Sequence, residues 1–247
     1  FRRVLFRSGS DAFFGGIRVP QSATLQPALF HRGLARGAAG AGALLIENTP
    51  VSAVVRSGRG HVLTIPGGTL RADAVILATN ADAGIDNPVV ERLRRRLIPI
   101  PAFALVTEKV SAEVMREALP INGPVSDTYK IVNYIAPTPD GERFIVSARA
   151  GRKDSDARTK AGRMFEYFRT RFEALRQVRV EYFWSGRFAL TADWIPHMGA
   201  HEGLYYVMGC CGTGTTMATY LGHKVAQSVL GNSEARSVFE RPLPKLP

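Results

Sequence analysis

The sequence of 247 residues has only two cysteines, and they are neighbours, Cys210 and Cys211. Adjacent cysteines close a strained ring, so no disulfide framework is expected and a reducing compartment fits. No run of about 18 uncharged apolar residues occurs, which argues against stable insertion into a membrane. The first residues also lack the apolar stretch and small-residue cleavage site of a secretory signal. Together these absences predict a soluble, cytoplasmic chain.

Chemistry-bearing motifs are scarce too. The five histidines, His31, His61, His197, His201 and His223, are far apart or beside turns, and with the cysteine pair they give no metal-ligand spacing. No Gly-x-Ser-x-Gly elbow is present, so a serine hydrolase lacks its nucleophile turn. The Gly-x-Gly-x-x-Gly dinucleotide fingerprint is missing as well. Gly212-Thr213-Gly214 and Gly40-Ala41-Gly42 both lack the third glycine at the right spacing.

Acidic residues are outnumbered, 21 against 32 basic ones, for a net charge of +11. The arginines fall singly or in short runs such as Arg94-Arg95-Arg96, without interleaved aromatics, so nucleic acid is not an expected partner. Anionic ligands such as a pyrophosphate stay open. The segment Phe1-Arg2-Arg3-Val4-Leu5-Phe6-Arg7-Ser8 is what TTC AGA CGT GTG CTC TTC CGA TCT encodes, the tail of a common sequencing-library adapter. Residues 1–8 are therefore read as an assembly artefact, with a natural basic strand as the alternative. Without Arg2, Arg3 and Arg7 the balance is 29 minus 21, or +8.

What is present is a patterned apolar content of 45%, enough for a real core. Pro27 starts a helix with Leu29, Phe30, Leu34 and Ala38 at helical spacing, and Gly40 and Gly42 can end it. Leu44–Val55, His61–Ile65 and Thr69–Ala72 predict a small antiparallel hairpin turned at Pro66-Gly67-Gly68. Ala74–Ala78 reads as a short strand buried on both faces. From about residue 86, prolines punctuate short runs such as Phe103–Thr107 and Phe144–Ser147, predicting a largely antiparallel second domain. Ala161, Met164, Phe165, Phe168, Phe172 and Leu175 share one helix face and are assigned to core packing. Val178–Phe183 and Gly203–Met208 read as strands, and a helix follows from about Thr215 to Leu230.

The strand, glycine turn and helix of residues 204–230 are the most informative local pattern. Glycines let backbone approach a flat ligand, and the helix start presents unpaired N–H groups and partial positive charge. An anion or an electron-rich ring edge suits such a place.

An ordered set of short motifs then resembles one family. Phe14-Gly15-Gly16, Leu25-Gln26-Pro27, Gly33-Leu34-Ala35, Gly42-Ala43, Thr49-Pro50-Val51 and Ala72–Ala81 come first. Trp184-Ser185-Gly186, Thr191-Ala192-Asp193, Pro196-His197-Met198-Gly199 and Gly209–Gly214 follow. The set is similar to DAO-type FAD-dependent oxidoreductases, the superfamily of D-amino-acid oxidase and sarcosine oxidase, over nearly all of residues 12–247. The closing segment 239–247 looks closest to the branch containing gamma-glutamylputrescine oxidoreductases.

The resemblance implies a mixed α/β fold: a truncated GR2-type FAD-binding domain, residues 9–85 and 191–247, with an antiparallel-sheet substrate domain inserted at 86–190. FAD, held non-covalently, would lie between them. Val51 matches the position whose backbone contacts adenine. Ala78, Thr79 and Asn80 match the loop near the ribose and pyrophosphate. Gly209, Cys211, Gly212, Thr213 and Gly214 match the turn facing the isoalloxazine. Trp184 is a candidate for the substrate pocket, with a buried core role as its alternative. Arg149 or Arg152 is where a clamp for a substrate carboxylate would sit. Asp193 is expected to hold the turn that follows it.

The implied reaction is hydride transfer from the carbon next to an amine to flavin N5, giving an imine that water hydrolyses, with O2 or another electron acceptor. A gamma-glutamylputrescine-like amine is the expected substrate, and a D-amino acid, glycine or sarcosine is the alternative. From another class, the charge alone supports a non-catalytic binding or nucleic-acid-associated domain. Because the family's opening Gly-x-Gly-x-x-Gly unit is not in the sequence, these 247 residues alone are expected to bind FAD poorly, to be inactive, and to expose apolar edge surface around Val75–Leu77.

Overall fold

The computed structural model describes residues 3–4, 9–13, 15–82, 84–121, 123–128, 132–149 and 156–246. In chain order these form β1 (Arg3–Val4), β2 (Gly16–Ile17), α1 (Pro27–Gly40), β3 (Ala53–Ser57), β4 (Gly60–Ile65), β5 (Gly68–Ala72), β6 (Val75–Leu77) and α2 (Pro88–Arg94). The chain continues with β7 (Ile98–Thr107), α3 (Ala112–Ala118), β8 (Val125–Ser126), β9 (Asn133–Pro137), β10 (Phe144–Arg149) and α4 (Ala157–Arg169). It closes with β11 (Val180–Leu190), β12 (His197–His201), β13 (Leu204–Met208) and α5 (Gly214–Val229). No helix among the described residues is long and apolar enough to cross a membrane. The residues divide into two compact units, Phe1–His31 with Pro101–Gly186, and Arg32–Ile100 with Arg187–Pro247.

The first unit is built on a five-stranded sheet of order β11-β7-β10-β9-β8, whose β7–β10, β10–β9 and β9–β8 pairs are antiparallel. Alternation along the strands sends Phe103, Leu105, Ile135, Phe144 and Val146 to one face. There they meet Met164, Phe165 and Phe168 of α4, with Phe172 and Leu175 just beyond it. Ala161, Met164, Phe165 and Phe168 share the buried face of α4 as the sequence predicts, whereas Phe172 and Leu175, forecast on the same helix, reach the core from the turn that follows its end at Arg169. Asp156 starts α4 by accepting a hydrogen bond from Thr159 N at 2.9 Å.

The second unit holds two small sheets. β3, β4 and β5 form an antiparallel meander, while β13 pairs antiparallel with β12 and parallel with β6. Leu77, Leu204, Tyr206 and Met208 from the latter sheet pack with Val54, Val89, Val90, Leu93 and Leu97. Asn87 caps α2, accepting from Val89 N and Val90 N at 2.8 and 3.1 Å, and its amide donates to Val54 O.

Two local expectations are corrected. The strand forecast from Leu44 begins only at Ala53, because no strand among the described residues pairs with residues 44–51, and Leu44, Leu45 and Ile46 stand exposed. The strand forecast as buried on both faces is buried at Leu77 but exposed at Ile76, since β6 is the edge strand of its sheet. Trp184-Ser185-Gly186 lies inside a single continuous strand, β11, at the point where the chain passes from the first unit to the second.

Candidate functional site

The parallel pairing of β6 with β13, with Leu77 opposite Tyr206, brings the carboxyl ends of these two strands side by side. In α/β folds the crevice outside such strand ends is where ligands bind. Two segments leave it: the loop Ala78-Thr79-Asn80 and the turn Gly209–Gly214. The matched positions Ala78, Thr79, Asn80, Gly209, Cys211, Gly212, Thr213 and Gly214 therefore converge from two distant stretches of sequence. Val51 is in the same unit and packs against the Leu77 and Tyr206 cluster.

The turn has an unusual backbone. Gly209, Cys211 and Gly212 adopt φ of 73°, 52° and 84°. A Cβ on Gly209 would lie 2.3 Å from Thr191 Cγ2, so only glycine fits there. The remaining bonds knit the turn to its own unit. Cys211 N donates to Ala189 O at 3.1 Å, and the Thr191 hydroxyl donates to Ile195 O at 2.8 Å while lying 3.4 Å from Cys211 Sγ. Asn80, itself at φ 49°, accepts from Gly209 N at 3.0 Å and donates to Cys210 Sγ at 3.4 Å.

The helix that follows starts without a side-chain cap. Thr213 holds the N-cap position but its hydroxyl turns back to Cys210 O, whereas Asn87, Ser111 and Asp156 cap α2, α3 and α4. Consequently the N–H groups of Gly212, Gly214, Thr215 and Thr216 have no partner among the described residues. Their dipoles add to the positive end of α5. A set of free donors beside a left-handed turn fits the electron-rich edge of a flat ring or an anion, which is the donor chemistry a flavin pyrimidine edge requires.

Asp193 lies one turn away, with both carboxylate oxygens 3.1 Å from Nε2 of the buried His197. The other ring nitrogen of His197 is 3.1 Å from Arg241 O. Burial pushes the Asp193 carboxyl up, but hydrogen bonds from His197 and Thr191 outweigh it and hold the group below its ordinary value. Asp193 thus ties down the turn after it. No cluster of metal ligands occurs among the described residues.

The substrate-side candidates belong to the first unit. Trp184 is 47% exposed on β11, and Tyr182, two residues earlier, is 56% exposed on the same face. Phe183 points the other way and stacks on Phe103 with ring centroids 5.8 Å apart. Arg149 ends β10 opposite Ala102, and Arg152 lies outside the described residues. Tyr182 and Tyr134 stand on the same face of the sheet as Trp184. The signal was available: period-two spacing aligns Tyr182 with Trp184, and Tyr134 pairs with Ser147 on the face opposite Val146.

A shallow cavity of about 550 Å³ lies in the second unit beside α2, lined by Arg92, Arg95, Arg96 and Lys245 with Glu91 and Leu246. Arg94 and Arg95 both bind the Glu91 carboxylate, and Arg96 donates to Leu243 O, so much of this charge is spent within the unit.

Known proteins match this arrangement. The profile of the family described as "FAD dependent oxidoreductase" (DAO) matches residues 3–228. "Probable oxidoreductase OrdL" of Haemophilus influenzae is 28% identical over 235 residues, covering 94% of this chain and 53% of the relative. Gamma-glutamylputrescine oxidoreductase of Escherichia coli is 29% identical over 199 residues, covering 79% and 43%. The crystal structure of glycine oxidase from Geobacillus kaustophilus superimposes with a TM-score of 0.67 at 24% identity, covering 85% of this chain and 54% of that one. The chain spans about half the length of the relatives it matches.

Proposed function

Because the chain belongs to the DAO family of FAD-dependent oxidoreductases, we propose that the whole protein oxidises the carbon–nitrogen bond of a small amine, with FAD bound non-covalently. The observation that carries this reading is the convergence of the 78–80 loop with an uncapped helix start and a turn of positive φ at the ends of two parallel strands. FAD, when bound, supplies the acceptor for a hydride from the carbon next to the amine, which leaves an imine for water to hydrolyse.

The chain's own contribution is orientation and charge. Free N–H groups at 212 and 214–216 would hold negative charge that develops on the ring edge, in a position fixed before reaction. Val51, through its backbone, would contact the adenine, and Ala78 and Thr79 would line the ribose and pyrophosphate. Cys211 Sγ is buried against the Thr191 hydroxyl, which favours a non-covalent cofactor. Residues 9–85 and 191–247 would form the flavin domain, and 86–190 the substrate domain.

The exposed Tyr182 and Trp184 offer aromatic surface to an alkyl ammonium, which favours a gamma-glutamylputrescine-like amine. A second reading, a glycine, sarcosine or D-amino acid, is favoured by a glycine oxidase relative from Geobacillus kaustophilus that is 28% identical over 232 residues. Under that reading Arg149 or Arg152 would grip the carboxylate.

The deciding experiment is the absorption spectrum of the purified whole protein, followed by turnover on gamma-glutamylputrescine and on glycine, sarcosine and D-alanine. A flavin band released by denaturation, with turnover of the amine alone, is the expected result. A colourless protein retained on heparin until modest salt would replace this reading by a binding domain. Turnover of the amino acids, with a KM raised by Arg149→Met, would select the second reading. The 247-residue chain is expected to remain colourless and inactive.

A further inference from the structure

We propose that Asn80 is a positioning residue. Its carboxamide joins the loop after β6 to the turn after β13 and so aims the free N–H groups of residues 212 and 214–216, while its own polar atoms are spent inside the protein. The inference deepens, and rests on, the flavin reading of the same site.

The bonds are specific. Asn80 Oδ1 accepts from Gly209 N at 3.0 Å and from Cys210 N at 3.5 Å, and Nδ2 donates to Cys210 Sγ at 3.4 Å. Two lone pairs and one of two amide hydrogens are thereby used, three of the four places at which an asparagine can bond. The contact spans 129 residues of sequence. The two segments it joins also follow adjacent parallel strands. Asn80 reaches it from φ 49°, a conformation that asparagine tolerates better than most side chains. Gly209 is buried, so without the Asn80 oxygen its N–H would be left unpaired and the turn would have to move to satisfy it. Cys211, Gly212 and the start of α5 would move with it, since Cys211 N is their next anchor, on Ala189 O.

A direct ligand residue and a positioning residue respond oppositely to Asn80→Asp. The carboxylate keeps the acceptor that Gly209 N and Cys210 N need. Beside a pyrophosphate, the same charge would repel. The test uses the whole protein carrying Asn80→Ala or Asn80→Asp. It reads amide hydrogen exchange at residues 209 and 210 in the flavin-free form, and the Kd for FAD by quenching of flavin fluorescence.

Asn80→Ala is expected to speed exchange at both amides and to raise the Kd by about tenfold, the size of effect that losing one or two hydrogen bonds produces. Asn80→Asp is expected to restore protection and to bring the Kd back to within about threefold of the wild type. An Asn80→Asp protein that binds FAD as weakly as the alanine variant, or more weakly, overturns the proposal. So does an unchanged Kd or unchanged exchange in Asn80→Ala. If the wild type binds no FAD, the flavin reading falls by itself, and exchange at residues 209 and 210 still decides whether Asn80 holds the turn.

Discussion

The two units spend their apolar residues differently. In the first, the sheet face and α4 bury Phe144, Phe165, Phe168, Phe172, Leu105, Ile135 and Val146, each at most 2% exposed. Around α1, where the chain passes from the first unit into the second, the reverse holds. No residue of α1 is buried, although Leu29 and Leu34 are 57% and 48% exposed on it, and Leu44 is 87% exposed just beyond. An isolated helix of α1's length, 14 residues, is marginal in water, so α1 requires a surface to lie on. The difference teaches that the core of the first unit lies between its sheet and α4, whereas residues 27–46, which straddle the boundary of the two units, bury none of their side chains.

The largest expected effect breaks or keeps that contrast. Phe165→Ala should cost about 3–5 kcal/mol in chemical denaturation, through lost burial and a cavity under the sheet. Leu34→Ala should change the midpoint of the 247-residue chain hardly at all. Limited proteolysis should cut within residues 41–52 well before it cuts within β7, β10 or α4. Early cleavage in β10, or a large penalty from Leu34→Ala, would show that the two regions do not differ in this way. In the whole protein the Leu34 penalty should grow to that of a buried leucine, about 2–5 kcal/mol.

An intermediate effect sharpens the comparison by separating the two parts of the second unit. Its order should reside in the knot formed by Ala189, Thr191, Asn80 and the turn at 209–211, and not in α1. Gly209→Ala places a methyl group on Thr191 Cγ2 and forces a left-handed φ on alanine. The strain alone costs about 1–3 kcal/mol. Thr191→Ser removes Cγ2 and keeps the hydroxyl that bonds Ile195 O. The double variant should therefore recover the steric part of the loss measured by thermal unfolding. No recovery would mean that backbone conformation, and not the contact with Thr191, excludes alanine.

Much of this was legible in the order of residues, and the reasons are physical. The stripe from Ala161 to Leu175 repeats at helical period, and the structure buries every one of its six members. The apolar runs at 75–77 and 204–208 read as strands because β-branched and aromatic residues fit a pleated surface, and both are strands. The family itself was legible from short motifs in order, each weak alone. Residues 44–51 resemble a strand in sequence and form none, because apolar content reports a wish for burial, not the presence of a pairing partner. Asn80 was assigned to the loop as a ligand contact, while its bond to the turn left no trace in local periodicity, since the partner is 129 residues away. The sequence marks a strand only as far as Phe183, whereas β11 runs on to Leu190 and so puts Tyr182 and Trp184 on one face.

The smallest expected effect is in pH, and it separates the knot from the surface. Asp193 has a folded value held below its ordinary 3.8, by His197 and Thr191 against the opposing effect of burial. A carboxyl depressed by folding stabilises the protein above its unfolded value, and that contribution disappears as pH falls through the lower, folded value. Asp193→Asn should therefore lower the unfolding temperature at pH 6 and converge on the wild type toward pH 2. Glu91 is also depressed, to about 2, by hydrogen bonds from Arg94 and Arg95. Its pairs are on the solvent side of α2, where water and salt screen them, so Glu91→Gln should leave the unfolding curve unchanged at any pH. An Asp193→Asn penalty that persists at pH 2 would assign the loss to geometry at His197 and not to the charge. An acid-sensitive Glu91→Gln variant would place the pH response on the surface of α2, outside the knot.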